Sequence, residues 1–249
     1  MADLIRTISD IRDAVCAVMR IRKVRDEKIK KNKVRPAQFN LAFVGTAFGV
    51  VENRYLITAY HIFNDDQPRI PGDKFFVFTV PNNGPQAFHF PVVGFPIEEP
   101  KLDIAVLEIG ACATPGQIVR AIPFSARPIT DGVRVLTYGF PAPVIAGGNI
   151  DPNGNFLGGG NFFLKGHANE GIVAGQFDVD GIPIYEFNVG WYNGESGGPV
   201  LTLDPMAAIA IMKGYRGIQA KHGVVPGPHA GRPLSIIVDR LRELGAQNL

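Results

Sequence analysis

The chain is poor in cysteine, serine and tryptophan, and it lacks a long hydrophobic run. Its 249 residues include two cysteines (Cys16 and Cys112), one tryptophan and four serines. One pair of cysteines cannot supply a disulfide framework, which argues against a small disulfide-stabilised secreted fold and fits a reducing compartment. The longest apolar run, Met206–Met212, is far shorter than the roughly 18 residues that a membrane-spanning helix needs.

Two further absences concern targeting and metal binding. Charged residues such as Asp3, Arg6 and Asp10 interrupt the stretch in which a secretory signal would be apolar, so we expect a cytoplasmic protein. Neither cysteine has a metal-ligand neighbour, and no zinc-binding spacing occurs. We therefore expect no metal ion and no cofactor.

Strong net charge is also absent, but the charge is unevenly distributed. The chain carries 25 Lys/Arg and 23 Asp/Glu, for a net charge of +2. Residues 1–35 alone hold eleven Lys/Arg and five Asp/Glu, and the basic excess lies in Arg20–Arg35. This segment is compatible with a contact to nucleic acid or an anionic surface. Because no aromatic residue interleaves its charges, as base stacking would require, the sequence favours a solvated helix end and linker.

Residues 3–25 have the periodicity of an amphipathic helix. Its apolar positions recur at three- and four-residue spacings, namely Ile5, Ile8, Ile11, Val15, Val18 and Met19. This stripe must be buried against the body of the protein or against a protein partner, and the sequence leaves that choice open. Arg35-Pro36 ends the segment, because a residue before proline is pushed out of the helical region.

From about residue 39 onward the chain consists of short extended runs, separated by turn residues that include many of its 29 glycines and 20 prolines. The predicted strands are Phe43–Val51, Tyr55–Ala59, Lys74–Val80, Ala87–Phe95, Leu102–Ile109, Val133–Phe140, Asn161–His167, Gly171–Val179, Ile182–Val189, Pro199–Leu203 and Ala207–Tyr215. Many short strands without intervening helices indicate an all-β barrel or sandwich. A break near Gly110–Asp131 divides the strands into two groups.

Three local signals add detail to this pattern. Asp180-Gly181 lies between two strands and predicts a hairpin, because both central positions of such a turn favour positive φ. Ala142–Gly160 contains six glycines and predicts a long flexible loop, either functional or disordered. Leu234–Leu244 follows Pro233 and predicts a C-terminal helix that ends at Gly245.

One of the four serines lies in a glycine-rich turn, Gly194-Glu195-Ser196-Gly197-Gly198-Pro199. Such a turn presents a hydroxyl among backbone N–H groups, although alone it also fits a turn that caps a strand. A serine hydroxyl is a poor nucleophile until a neighbouring base takes its proton, and that base needs an orienting anion. A functional Ser196 would therefore need a histidine and a carboxylate from elsewhere in the chain.

The best candidates for these two partners are His61 and Asp103. Among the five histidines, His61 is distinctive because it ends the extended run Leu56–His61. The other four are more typical of exposed or structural histidines: His89, His167, His222 and His229. Asp103 lies in the otherwise apolar run Leu102–Leu107, and a buried carboxylate is costly unless it accepts hydrogen bonds. A turn at the end of a strand is the alternative interpretation of Asp103.

Three segments together resemble the motifs of the trypsin/chymotrypsin-like serine protease family. They are Thr58-Ala59-Tyr60-His61, Leu102-Asp103-Ile104-Ala105-Val106-Leu107 and Gly194–Pro199, and they occur in the order of that family. His61 and Asp103 are 42 residues apart, and Asp103 and Ser196 are 93 apart. Val135–Pro141 and Gly171-Ile172-Val173 are similar to second-barrel strands of the HtrA-type branch.

The resemblance covers roughly residues 40–240 and implies two six-stranded antiparallel β-barrels of the chymotrypsin type. We expect residues 1–37 to form the N-terminal helix and basic linker, and residues 38–249 to form the protease domain. Within that domain, barrel one would span about 38–125, barrel two about 126–232 and the C-terminal helix about 233–245.

The same resemblance implies a serine endopeptidase that acts on peptides or proteins through an acyl-enzyme intermediate. His61 would be the general base, Asp103 its orienting partner and Ser196 the nucleophile. The N–H groups of Gly194 and Ser196 would form the oxyanion hole. Glycine suits position 194 because an outward-facing amide there needs a backbone conformation that a side chain would obstruct.

The substrate-binding residues implied by the resemblance are Gly190, Ile211, Lys213 and Gly214. Gly190 would lie at the base of the primary specificity pocket, where it carries no acid, so we expect no preference for Lys or Arg. The opposite wall would run through Ile211–Tyr215. A small or aliphatic residue before the cleaved bond is the first expectation, and Lys213 would instead favour an acidic one.

The chain departs from the family at Glu195 and Tyr60, and it lacks the disulfides. Glu195 replaces an aspartate that, in the digestive enzymes, pairs with a new N-terminus made by zymogen cleavage. Because no convincing activation site precedes the first barrel, we expect the uncut chain to react with a fluorophosphonate. Tyr60 stands where the family usually has a small residue, and we expect it to pack between the barrels.

An alternative function stays open at this point. A catalytically silent or self-processing trypsin-like domain would act as an interaction module, with the N-terminal helix contacting a protein or the basic segment contacting nucleic acid.

Overall fold

The first half of the chain forms one closed antiparallel barrel. The computed structural model describes residues 8–30, 33–64, 68–81, 86–190, 192–220 and 223–249. The strands of this half are β1 (Val15–Arg25), β2 (Lys28–Lys30), β3 (Lys33–Arg35), β4 (Gln38–Val51), β5 (Tyr55–Thr58), β6 (Lys74–Thr79), β7 (Phe88–Glu99) and β8 (Ile104–Ile109). Barrel one has the order β1-β4-β5-β8-β7-β6 and is closed by pairing of β1 with β6, while β2 and β3 form a separate ribbon.

The second half forms a second closed antiparallel barrel. Its strands are β9 (Arg134–Gly139), β10 (Val144–Ala146), β11 (Asn149–Ile150), β12 (Phe156–Gly158), β13 (Asn161–Phe163), β14 (His167–Val179), β15 (Ile182–Asn188), β16 (Pro199–Leu203), β17 (Met206–Ala220) and β18 (Gly223–Pro233). Barrel two has the order β14-β15-β18-β17-β16-β9 and is closed by β9 against β14. The prediction of two six-stranded barrels is confirmed.

The predicted N-terminal helix is wrong from residue 15 onward. Within the described residues, positions 8–12 are helical and Val15–Arg25 form β1, which pairs with both β4 and β6. Residues 14–21 are all buried, so this part of the strand is covered on both faces, and apart from Arg20 its residues are apolar, which imitates a helical stripe. Barrel one therefore begins at residue 15 rather than near residue 38. Residues 1–7 of the predicted segment lie outside the described residues.

Most of the predicted strands are present, with two differences. In the predicted strand 161–167, only Asn161–Phe163 form β13, which pairs with β10 outside the barrels, and His167 already begins β14. β18 is additional: it lies in a stretch rich in glycine and proline for which the sequence predicts no strand. His222, just before it, lies outside the described residues. The β14–β15 hairpin turns at Asp180 (φ 53°) and Gly181 (φ 76°), as predicted.

The glycine-rich segment 142–160 is anchored against barrel one. It contains the short ribbon of β11 with β12, and Phe156 within it is buried. The Phe156 ring packs at 5.4 Å from the Phe78 ring and 5.0 Å from the His89 ring, measured between centroids. The Lys74 ammonium also donates a 2.6 Å hydrogen bond to the Asn155 side chain. The segment, which links β9 to β14 within barrel two, is therefore packed against barrel one, in contrast to the flexible loop that its glycines predict.

Helices are short in the described part of the chain. The predicted C-terminal helix is present as a 3-10 turn, Leu234–Ile237, followed by α1 (Val238–Glu243). It ends at Gly245 with φ 88°, a conformation that glycine adopts readily at a helix end. Among the described residues no helix is both long enough and apolar enough to cross a membrane.

Candidate active site

Strand pairing in barrel one brings His61 and Asp103 together. β5 and β8 are antiparallel neighbours, with Thr58 opposite Ala105. The end of β5 therefore lies beside the beginning of β8. His61 follows β5 on the 3-10 turn Tyr60–Phe63, and Asp103 immediately precedes β8.

Three contacts join the Asp103 carboxylate to His61. The His61 backbone N–H donates to Oδ1 over 2.9 Å, and the ring Nδ1 lies 3.1 Å from Oδ1 and 3.0 Å from Oδ2. The Tyr60 N–H also donates to the Asp103 carbonyl over 3.2 Å. Asp103 has φ +57°, a left-handed conformation in which aspartate and asparagine are enriched. The carboxylate is thus fixed against the imidazole by both side-chain and backbone contacts.

The electrostatics of Asp103 assign the tautomer of His61. Burial acts to raise the pKa of the carboxyl, but the hydrogen bonds from His61 and the charges of His61 and Lys213 outweigh it, and the pKa is lowered. An ionised carboxylate can only accept hydrogen bonds. The His61 Nδ1 must therefore carry the hydrogen, which leaves Nε2 with a lone pair for an incoming proton.

A tight turn precedes Ser196 and explains the need for Gly194. The Glu195 N–H donates to the Tyr192 carbonyl over 3.1 Å, which closes a turn with Gly194 at its third position. Gly194 has φ +108°, consistent with a type II turn, in which the third residue is normally glycine. A Cβ at this position would also collide with the Phe140 carbonyl and the Phe43 ring.

Thr46 of β4 holds this turn of barrel two from the side of barrel one. Its backbone N–H donates to the Ser196 carbonyl, and its hydroxyl donates to the Gly194 carbonyl, both over 2.8 Å. The same hydroxyl accepts the Phe140 N–H at 3.2 Å. Gly197 packs so closely against Thr46 and Thr58 that an added Cβ would collide with both. The serine turn therefore lies directly against the segment that leads into His61.

The Ser196 hydroxyl points to a different partner from the one that the motifs suggest. Its Oγ donates to the backbone carbonyl of Lys213 over 3.1 Å. Among the hydrogen bonds of the described residues, none joins this hydroxyl to His61. The fold brings the serine and histidine turns side by side, with the hydroxyl rotated toward β17.

Lys213 also contacts the site through its side chain. Its Nζ lies 3.4 Å from Asp103 Oδ2, and the lysine side chain is 41% exposed. It lines a cleft of about 360 Å³ together with Tyr60, His61, Asp103 and Gly214. Tyr60 is half-buried there and packs on the core beside His61.

The other residues predicted to bind substrate occupy separate places. Gly190 is exposed, and a Cβ added to it would lie 3.3 Å from the Asn169 side-chain oxygen. Ile211 is buried in the hydrophobic core. Gly214 lies within β17, next to the bulge, and lines the cleft together with His61, with φ +144°. The last residue of the predicted wall, Tyr215, lies outside the residues whose side chains the structure describes.

Glu195 is buried beside the serine with two hydrogen-bond donors. Its carboxyl accepts the Tyr192 N–H at 3.0 Å and the Asn169 side-chain amide at 3.2 Å. Burial raises the pKa of Glu195 to about 7, against the opposing effect of these hydrogen bonds. Among the described residues, no cation forms an ion pair with it.

Sequence reasoning missed the contributions of Thr46 and Asn169 and misjudged that of Lys213. Thr46 lies in a predicted strand whose register cannot be derived from the sequence. Asn169 lies in β14 and gives no sequence signal. The polar character of Lys213 at the end of the apolar run Ala207–Met212 was visible, but the direction of its side chain was not.

The comparisons with known proteins agree with this architecture. Residues 45–211, two thirds of the chain, match the family model described as a trypsin-like peptidase domain. The chain belongs to the trypsin-like peptidase family. A comparison with curated protein sequences finds no match.

Solved structures share the fold of this trypsin-like domain. One is the HtrA-type protease AlgW with a decapeptide, at 15% identity and a TM-score of 0.61, where the match covers 97% of this chain and 67% of the other. Another is Deg5, at 15% identity and a TM-score of 0.59, covering 96% of this chain and 91% of the other. At this identity the likeness concerns the fold.

Proposed function

We propose that this protein is a serine endopeptidase that hydrolyses peptide bonds through His61, Asp103 and Ser196. The observation that carries the proposal is the fixed Asp103–His61 pair in barrel one, together with the hydrogen bonds by which Thr46 of the same barrel holds the serine turn. The peptide-bound HtrA-type relative supports a peptide as the ligand class. The reaction is acyl transfer to serine and then to water.

In the first half of the reaction, Ser196 Oγ leaves the Lys213 carbonyl and turns to His61 Nε2. The Ser196 Oγ attacks the substrate carbonyl carbon while His61 Nε2 takes the hydroxyl proton. Asp103 remains ionised and stabilises the imidazolium that forms. When the C–N bond breaks, the imidazolium returns the proton to the leaving amine, and the acyl group stays on Ser196.

In the second half, water replaces the amine. His61 removes a proton from the water as its oxygen attacks the ester carbon, and the Ser196 oxygen recovers a proton when the ester bond breaks. Both tetrahedral intermediates carry a negative oxygen. The N–H groups of Gly194 and Ser196 are proposed to bind that oxygen, with about 3–4 kcal/mol of transition-state stabilisation from each donor.

Covalent labelling of the uncut chain tests this proposal. We expect a fluorophosphonate to add one phosphonyl group to Ser196, located by peptide mass spectrometry. Ser196→Ala should abolish labelling and His61→Ala should slow it by at least about a thousandfold. Ser125→Ala, which changes a serine in the connector between the barrels, should label like the parent protein. Absence of labelling at any pH in folded protein would contradict the proposal.

Substrate preference is part of the same proposal. Gly190 brings no carboxylate to the predicted pocket, so cleavage after Lys or Arg is not expected, and a small or aliphatic residue is preferred. The ion pair of Lys213 with Asp103 weakens the alternative that this lysine selects an acidic residue. A peptide library in which cleavage follows arginine would contradict this preference.

A catalytically silent interaction module is the second candidate function. The rotation of Ser196 Oγ toward the Lys213 carbonyl favours it, because a carbonyl cannot remove the hydroxyl proton. The labelling experiment separates the two functions, since the silent module leaves Ser196 unmodified.

A further inference from the structure

A bulge in β17 gives Lys213 its unusual position. In the pairing of β17 with β18, Met212 lies opposite Gly231 and Gly214 lies opposite Ala230, so Lys213 is the extra residue. A β-bulge of this kind leaves one residue outside the ladder and redirects its side chain and backbone. Here the released carbonyl accepts the Ser196 hydroxyl, and the side chain reaches Asp103.

The lysine ammonium and the imidazole share one carboxylate oxygen. Asp103 Oδ2 lies 3.0 Å from His61 Nδ1 and 3.4 Å from Lys213 Nζ. Asp103 itself is only 6% exposed, so water screens the charge of its carboxylate poorly. The carboxylate therefore interacts with a protonated His61 in competition with the neighbouring lysine ammonium.

Other charged groups near Asp103 do not replace Lys213. Arg232 of β18 is buried and is attracted to Asp103, but it does not form an ion pair with it among the described contacts. Lys101 is exposed and lines the same cleft, again without an ion pair to Asp103 in the described part of the chain. Lys213 is thus the cation in direct contact with the carboxylate that orients His61.

We propose that Lys213 is a positioning residue that offsets the charge of Asp103 and thereby sets the pH at which His61 becomes available as a base. This inference rests on the proposed protease function. The ammonium reduces the attraction between Asp103 and protonated His61, so the imidazole releases its proton at a lower pH than it would beside an uncompensated carboxylate. The Lys213 carbonyl also accepts the Ser196 hydroxyl. The bulge at Lys213 therefore contacts Ser196 and Asp103 directly, and His61 through Asp103.

The pH dependence of fluorophosphonate labelling tests the proposal. Lys213→Met removes the charge while retaining an unbranched side chain, and it should move the acidic limb of the rate profile to higher pH by about half a unit to one unit. At the low-pH end this corresponds to a rate about three to ten times lower. Lys213→Arg should restore the parent profile, because it keeps a cation of similar reach.

A control in the same cleft separates contact from general charge. Lys101→Met also removes one positive charge but leaves Asp103 in contact with Lys213, so its acidic limb should stay with that of the parent. An identical midpoint for Lys213→Met and the parent, in folded and reactive proteins, would overturn the inference.

A second measurement keeps the inference independent of activity. In Ser196→Ala protein, the His61 ring protons can be followed by NMR as the pH is varied, with and without Lys213→Met. We expect the titration midpoint to rise in the double variant. If the parent protein never labels but this midpoint moves, the proposed function fails and the charge relation stands. If labelling occurs and the midpoint is unchanged, the charge relation fails alone.

Discussion

The hydroxyl of Thr46, in barrel one, donates a 2.8 Å hydrogen bond to the carbonyl of Gly194, in the serine turn of barrel two. Thr46→Val keeps the shape of the side chain but leaves this carbonyl and the Phe140 N–H without the hydroxyl. We expect a loss of about 1–3 kcal/mol in the free energy of unfolding, because buried polar groups lose their partner. Urea denaturation measures this loss. Thr114→Val, at an exposed position, should cost far less, and equal effects would contradict the role of Thr46.

Gly194 and Gly132 provide a matched pair for testing the serine turn. Both have positive φ, but a Cβ on Gly132 meets open space, whereas a Cβ on Gly194 meets the Phe140 carbonyl and the Phe43 ring. Gly132→Ala should lose about 1–2 kcal/mol of unfolding free energy through backbone strain, and Gly194→Ala should lose more because its Cβ also collides with its neighbours. Only Gly194→Ala should also slow fluorophosphonate labelling, by about a hundredfold or more, because it displaces an oxyanion-hole donor. Equal labelling of the two variants would contradict the assignment.

Two substitutions of Asp103 should separate its role in activity from its role in stability. An asparagine at this position would tolerate the left-handed backbone at φ +57° and could still accept the His61 N–H through its side-chain oxygen. Asp103→Asn should therefore melt near the parent temperature, while its labelling rate falls by about a thousandfold or more because His61 adopts the wrong tautomer. Asp103→Ala should lose both stability and activity. Labelling of Asp103→Asn at the parent rate would show that Asp103 does not orient the base.

Glu195 predicts an unusual pH dependence of stability. The folded protein keeps the carboxyl protonated to a pKa of about 7, whereas the unfolded chain releases the proton near its ordinary value of 4.5. At this group the folded state therefore binds more protons between these values, so the contribution of Glu195 to the free energy of unfolding falls as the pH rises through this window. Glu195→Gln should flatten the fall and be more stable than the parent at pH 8 by about 1–3 kcal/mol. Urea denaturation at several pH values measures the difference.

The control for Glu195 is Glu52→Gln, which changes the same chemical group at an exposed position. It should leave the slope of stability against pH between 4.5 and 7 as it is in the parent. Equal slopes for the parent and Glu195→Gln across this window would show that Glu195 is ionised there, because the half-buried His89 and His229, whose pKa values are lowered by burial, contribute equally to both proteins.

The position of β1 in barrel one determines what a deletion of residues 1–35 should do. Deleting residues 1–35 removes the strand that closes barrel one against β4 and β6, together with the Arg22 contacts to Asp73 at 2.8 and 2.6 Å. We expect this variant to lose cooperative thermal unfolding. Arg25→Gln with Lys28→Gln removes two exposed charges and should melt like the parent. A truncated protein with a parent-like melting curve would contradict the placement of β1.

Most of the fold follows from local sequence signals, but the two terminal strands of the barrels do not. The runs leading to His61 and Asp103 are short, apolar and rich in β-branched residues, so their strands could be predicted. The first part of β1 is also mostly apolar, yet it is buried on both faces and lacks the alternation that identifies a strand, and its second part is basic and largely exposed. β18 is rich in glycine and proline, and its place is set by pairing with β15 and β17.

Part of the candidate site could likewise be predicted from the sequence, and part could not. His61, Asp103 and Ser196 could be named because their motifs are contiguous in sequence. The contacts of Thr46 with Gly194, of Asn169 with Glu195 and of Lys213 with Asp103 join residues far apart in the chain. Each depends on strand register or on a bulge, and neither is encoded in a short window.

The base and its carboxylate belong to one half of the chain, and the nucleophile belongs to the other. Their separation is therefore set by how the halves dock, and a displacement of about 1 Å can change such a reaction rate about a hundredfold. Substitutions along the contact surface between the halves would then change the turnover rate even when they are far from the reacting atoms. Selection could therefore tune the rate without changing the catalytic residues.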